Sequence, residues 1–338
     1  MFKSLFSFLR QTSPLLVAMS LYFPTKAQTI WLSPQSGTNA VPDLMDLFQP
    51  EAPWANAASH VSVFSVSAEF LVHRPDSTLQ QLFANLRQRH IQLGVAMSPL
   101  SARPTPEAPE CGVGVESYSA PGEALMIARK VRRLGGAIDY YTMDEPLYYG
   151  HVYKQDPKGN TSSKHCGCQL SIREIAQDAA KRITDVHSVF PRAIIGDVEP
   201  FMQWEDGQWE QDVREWCDAF QAATGQRLAY FRLDLWWNLP WQKRMAHLAS
   251  LLHDKQVPLQ VIYDGASFAA SDRIWIDQAA QRFKEFEGTA GLTPDAVIMQ
   301  SWHSKPLHVL PESDPGTLTN LVLQYIAWKS TRGQSISH

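Results

Sequence analysis

An α/β chain closed into a (β/α)8 barrel is what the sequence predicts, on three observations. Eight short β-type runs recur along 338 residues, and stretches with apolar residues near helical spacing separate them. The glycine motifs of open nucleotide-binding sheets, GxGxxG after a strand and GxxxxGK[ST], are absent. Strands alternating with helices imply parallel neighbours joined by crossovers, and eight such units favour closure over an open sheet. Nothing repeats at a fixed period of roughly 20–50 residues, which argues against solenoids and propellers.

The β-type runs, in order, are Thr29–Ser33, Val61–Leu71, Gln92–Met97, Ile138–Asp144, Ala193–Val198, Leu228–Leu235, Pro258–Tyr263 and Ala296–Ser301. Between them, Ser77–His90 opens on a Ser cap and sets Leu79, Leu82, Phe83 and Leu86 on one face. Gly122–Leu134 does the same with Leu125, Ile127, Ala128 and Val131, and Ser171–Phe190 opens on SIRE, a capping box. Helices are also predicted over Gln208–Thr224, Gln242–Lys255, Asp272–Phe286 and Pro315–Lys329. Two long loops, 98–121 after the third strand and 147–170 after the fourth, leave from C-terminal strand ends, the face on which this architecture does its chemistry.

The content of hydrophobic residues, 44%, against 19% charged residues, supports a sizeable core rather than disorder. A net charge of -4, with no basic run longer than Arg129–Arg133, argues against nucleic acid as a partner. Residues 1–27 read as a secretory signal: Lys3 and Arg10 precede the apolar Pro14–Phe23, and Thr25-Lys26-Ala27 offers small residues before a cut at Gln28. The apolar stretch is too short to span a bilayer comfortably, so the expectation is a secreted or periplasmic barrel over 28–338 with no stable membrane span. In an oxidising compartment Cys111, Cys166, Cys168 and Cys217 can form two disulfides. Cys166 and Cys168 are too close for an ordinary bridge, so at least one is expected to bond Cys111 or Cys217.

Acids gather at the predicted C-terminal strand ends: Glu69, Asp144 with Glu145, Asp197 with Glu199, Asp234 and Asp264. Such acids also cap helices or pair with arginine, but five strand ends converging on one mouth suit two-carboxylate glycoside cleavage. That chemistry needs one protonated acid at the leaving oxygen and one ionised partner at the sugar carbon or its attacking water. Aromatics accompany them: Tyr148, Trp204, Trp236, Trp237 and Trp302, whose flat faces suit the apolar side of a sugar ring. Glu69, Asp197, Arg232 and Asp234 complete the expected substrate-binding set, with carbohydrate as the partner. Trp216 and Trp275, inside helical stretches, are expected to pack. His60, His73, His151, His165 and His303 show no HxH or HExxH spacing, so no metal and no cofactor are expected.

The motif Tyr141-Thr142-Met143-Asp144-Glu145-Pro146, Asp264 after the seventh strand and Trp302 after the eighth together resemble the clan A glycoside hydrolase superfamily. The resemblance implies that Glu145 is the acid/base. Asp144 stands where that clan usually has Asn, and Asp264 where it has the nucleophilic Glu, so Glu199 competes for the nucleophile's role. The Asp144-Glu145 pair also resembles that of substrate-assisted N-acetylhexosaminidases, in which the Asp orients the sugar's acetamido group and no protein nucleophile is needed. A barrel that binds carbohydrate without cleaving it is the non-enzymatic alternative.

Overall fold

The computed structural model describes residues 28–37, 40–106, 109, 111–153, 167–201 and 207–333. Eight parallel strands close a barrel: β1 (Thr29–Ser33), β2 (Val61–Ser67), β3 (Gln92–Met97), β4 (Tyr140–Asp144), β5 (Ile194–Glu199), β6 (Phe231–Leu233), β7 (Leu259–Tyr263) and β8 (Ala296–Gln300). Each pairs with its neighbours in sequence, and β1 closes the ring on β8. The surrounding helices are α1 (Ala68–His73), α2 (Asp76–Gln88), α3 (Glu123–Arg133), α4 (Ile172–Val189), α5 (Trp209–Thr224), α6 (Gln242–Lys255), α7 (Asp272–Phe283) and α8 (Leu318–Thr331). No described helix is long and apolar enough to cross a membrane. The predicted signal segment lies outside the described residues.

The expected elements are present, with shifts that have local causes. The second run was expected to stay extended to Leu71, but the strand ends at Ser67, whose hydroxyl accepts the Phe70 N–H and starts α1. The capping box at Ser171 forms with Glu174 in both directions. Inside the long loop after β3, Leu100–Ser101 pairs with Tyr118–Ser119. Cys111 bonds Cys168 across a sequence separation of 57, tying the loop after β3 to the loop after β4. That is the pairing of one of Cys166 and Cys168 with Cys111 or Cys217 that was expected; among the described residues there is no second disulfide, Cys217 being a free thiol buried in α5, and Cys166 lies outside the described residues.

Strand alternation divides the side chains between the barrel interior and the helix layer. Trp31 of β1 meets Tyr140 and Tyr230 inside, with ring centroids 4.7 and 5.6 Å away. Glycines on facing strands make that aromatic filling fit. A Cβ at Gly94 would lie 3.0 Å from Trp31, and one at Gly196 only 2.1 Å from the Tyr230 ring, which Thr142 also holds through a 2.7 Å hydroxyl contact. Above this layer the Arg232 guanidinium lies 4.3 Å from the Trp31 ring centroid and donates twice to Gln260 Oε1, at 3.1 and 3.0 Å. Arg232 is therefore a buried cation on the floor of the mouth.

Gly196→Ala is expected to destabilise the protein by about 1–3 kcal/mol through overpacking against Tyr230. A denaturant midpoint equal to wild type would contradict this filling of the barrel.

Candidate active site

A cavity of about 800 Å³ opens at the C-terminal ends of the strands. Its acids are Glu116, Asp144, Glu145, Asp234 and Asp264; its aromatics include Tyr149, Trp236, Trp237 and Trp302. Exposed Phe268 and half-exposed Trp236 stand on its rim. Thus Asp144, Glu145, Arg232, Asp234, Trp236, Trp237, Asp264 and Trp302, all expected from sequence, do converge.

Glu145 sits just past β4 with φ at 50°, a left-handed conformation that a residue with a Cβ adopts at a cost. Its N–H donates to Val198 O at 3.0 Å, and its carbonyl accepts the Tyr149 N–H at 3.1 Å. The turn that follows is held by Glu199, whose two carboxylate oxygens accept the N–H groups of Leu147, at 2.7 Å, and Tyr148, at 3.0 Å. Glu199 is fully buried on the helix side of β5 and does not line the cavity, which corrects its candidacy as nucleophile. Asp197 shares that outward face and accepts the Trp216 indole N–H at 2.6 Å, so it too is not a substrate ligand. The register explains both: Asp144 pairs with Val198, so the inward position on β5 is Val198 and its flanking acids turn away.

Other expectations also move. Tyr148 packs against Tyr149 and Tyr153 instead of lining the cavity, because Tyr148–Val152 forms a π-helical turn that presents Tyr149. Glu69 lies exposed in the first turn of α1 and is not part of the cavity wall. Trp204 lies outside the described residues. Trp216 and Trp275 are buried between elements as expected.

Two contributors, Glu116 and Arg282, escaped the sequence reading, and His303, considered there only as a metal ligand, is a third. Glu116, on the loop that the Cys111–Cys168 disulfide anchors, accepts the Tyr149 hydroxyl at 3.0 Å. Arg282 reaches from α7 to pair with Asp264 Oδ1, which also accepts the Trp237 indole N–H at 3.0 Å. His303 Nε2 stands 3.8 Å from Asp264 Oδ2. The long loop was itself a signal for Glu116; a helical arginine such as Arg282 offers none without the packing. No group of three His, Cys, Asp or Glu among the described residues could hold a metal ion.

The acids occupy different electrostatic settings. Burial pushes Glu145 well above the usual carboxyl range, and the charges of Glu116, Asp234, Asp144 and Glu199 push the same way. Burial, then Glu116, raises Asp144 to about 7 against the opposing charge of Arg232. Asp234 is raised first by burial, then by Asp264, Glu116 and Asp144, with Arg282 opposing. Asp264, by contrast, has a guanidinium and an indole N–H at hand. The mouth can therefore present a neutral carboxyl donor and a cation-paired carboxylate to one bound molecule.

No protein-family model and no curated protein matches the chain. Among solved structures, a psychrophilic glycoside hydrolase family 10 endo-beta-1,4-xylanase is similar at 11% identity and TM-score 0.46, covering 82% of this chain and 86% of its own. Morphinone reductase is similar at 12% identity and TM-score 0.45, with 80% and 81% covered. A truncated 3-deoxy-D-arabino-heptulosonate 7-phosphate synthase from Thermotoga maritima gives 10% and 0.44, with 93% and 91% covered. These are different enzymes, and none of the likenesses carries an argument about this chain's reaction.

Asp144 binds its proton more tightly in the folded protein than in the unfolded chain. Its contribution to stability is therefore greatest below about pH 4 and is lost as pH rises towards about 7. The thermal midpoint of Asp144→Asn, neutral at every pH, should fall less than that of wild type across this window. Parallel curves would contradict the assignment.

Proposed function

We propose that the chain is an exported glycoside hydrolase acting on an oligosaccharide or polysaccharide by a two-carboxylate mechanism. The observation that carries the reading is that Glu145 and Asp264 line one cavity in opposite settings. Glu145 is buried among acids and Asp264 is paired with Arg282. In this reading Glu145 protonates the departing glycosidic oxygen. The Asp264 carboxylate attacks the anomeric carbon, and Glu145 then takes the proton from the water that releases the sugar. Trp236 and Trp302 offer ring faces for stacking, while Asp144 and Asp234 accept from sugar hydroxyls. The Cys111–Cys168 disulfide supports an oxidising, secreted or periplasmic location.

One observation favours a second reading. Asp144 faces the cavity directly beside Glu145, where it can orient an acetamido group whose oxygen replaces the protein nucleophile. In that case Asp264 would bind substrate without attacking it.

Product release from a panel of plant, fungal and bacterial polysaccharides tests both. Glu145→Gln should lower turnover by about 10³-fold while leaving binding largely intact. Asp264→Asn should be comparably damaging under the two-carboxylate mechanism and mild under the substrate-assisted one. Wild-type rates in Glu145→Gln would end both readings. Glycan binding by calorimetry without product from the wild type would replace them with a non-catalytic carbohydrate-binding barrel.

A further inference from the structure

The cavity gathers more carboxyl groups than cations. Five carboxyl groups line it, from Glu116, Asp144, Glu145, Asp234 and Asp264. Of the two arginines that reach it, Arg282 is engaged by Asp264, and Arg232 lies beneath the floor against Gln260 and Trp31. Among the described residues the side chains of Asp144, Glu145 and Asp234 have no hydrogen-bonding partner, although Glu145 is only 8% exposed. A buried carboxyl without a donor is expensive to keep, and Glu145, flanked by the half-buried and equally donorless Asp144 and Asp234, points to donors brought by the ligand. Among the described residues no three His, Cys, Asp or Glu side chains could hold a metal ion. The cavity's acids are spread around a space of sugar size, about 800 Å³.

Resting on the hydrolase reading, we infer that this cavity selects glycans carrying protonated amines, 2-amino-2-deoxyhexose units with the free amino group, with Asp144, Asp234 and Glu116 as partners of ammonium groups on successive units. An ammonium supplies three donors and a positive charge. It satisfies both deficits at once, whereas a neutral hydroxyl supplies one donor and no charge. Uronic acid units would meet like charge. An ionised Asp144 and Asp234 beside the ammonium still oppose loss of the proton from Glu145, so the acid role survives occupancy. A free amine also lacks the acetamido oxygen of the substrate-assisted route, so cleavage of such a chain requires Asp264 as the protein carboxylate.

The test is calorimetric binding of glucosamine oligomers, their N-acetylated counterparts and cello-oligosaccharides of equal length, with product release followed on the same set. The expected result is binding of the amino oligomer at least about tenfold tighter than either neutral oligomer, weakening with added salt. Asp234→Asn should shrink that preference severalfold. Glu116→Gln, at an exposed loop position and with an amide oxygen still able to accept the Tyr149 hydroxyl, should do the same. Equal or tighter binding of a neutral oligomer, or a preference unchanged in both variants, would overturn the inference. Release of product from neutral glycans without amino preference would overturn it and leave the hydrolase reading standing. Amino preference without release from any glycan would support the cation site and count against the hydrolase reading.

Discussion

The two hydrogen bonds that Glu199 accepts from the backbone of Leu147 and Tyr148 fix the point at which β4 turns out of the barrel. The site depends on that turn. Glu145 occupies a left-handed conformation immediately before it, and Tyr149 immediately after it reaches Glu116 across the mouth. A strained residue persists where its surroundings over-determine it. Here they do so from three sides: Val198 O on the Glu145 N–H, the Tyr149 N–H on its carbonyl, and the buried Glu199 carboxylate on the next two amides. Glu199 thus holds the backbone turn that follows Glu145 and does not face the cavity.

The same turn gathers like charges. Asp144 and Glu145 come from the end of β4, Asp234 follows β6 and Asp264 follows β7, while Glu116 arrives on a loop tied down by Cys111–Cys168. Repulsion of this kind is a stability cost that a purely structural barrel would not carry. Arg232 below and Arg282 at the side offset part of it, and burial first, then the remaining repulsion, raises the proton affinity of Glu145. The electrostatics that make the mouth costly also separate a neutral acid from a cation-paired carboxylate, and that separation is the basis of the hydrolytic reading.

The barrel was legible because its signal is periodic. The eight β-type runs coincide with the eight strands, and the third, Gln92–Met97, does so to the residue. The inward acids of β4, β6 and β7 were legible because their strand ends face one mouth by architecture. What the sequence could not carry was phase. Alternation puts Asp197 and Glu199 on a common face of β5, but which face depends on the pairing of Met143 with Asp197, a register set by two strands together. The exchange of Tyr148 for Tyr149 has a similar origin in a π-helical turn that adds one residue per turn. Glu116 and Arg282 come from a loop and a helix, where no period predicts which side chain enters the site.

Burial among acids raises the proton affinity of Glu145 well above that of an ordinary glutamate, and its titration is the direct measurement. Glutamate labelled with ¹³C at the side-chain carboxyl gives one resonance per residue, and the signal missing from Glu145→Gln identifies Glu145. A midpoint well above the ordinary value of about 4.3 for glutamate is the predicted result. A midpoint near that ordinary value would contradict the account, because an ionised Glu145 has no proton to give to a leaving group.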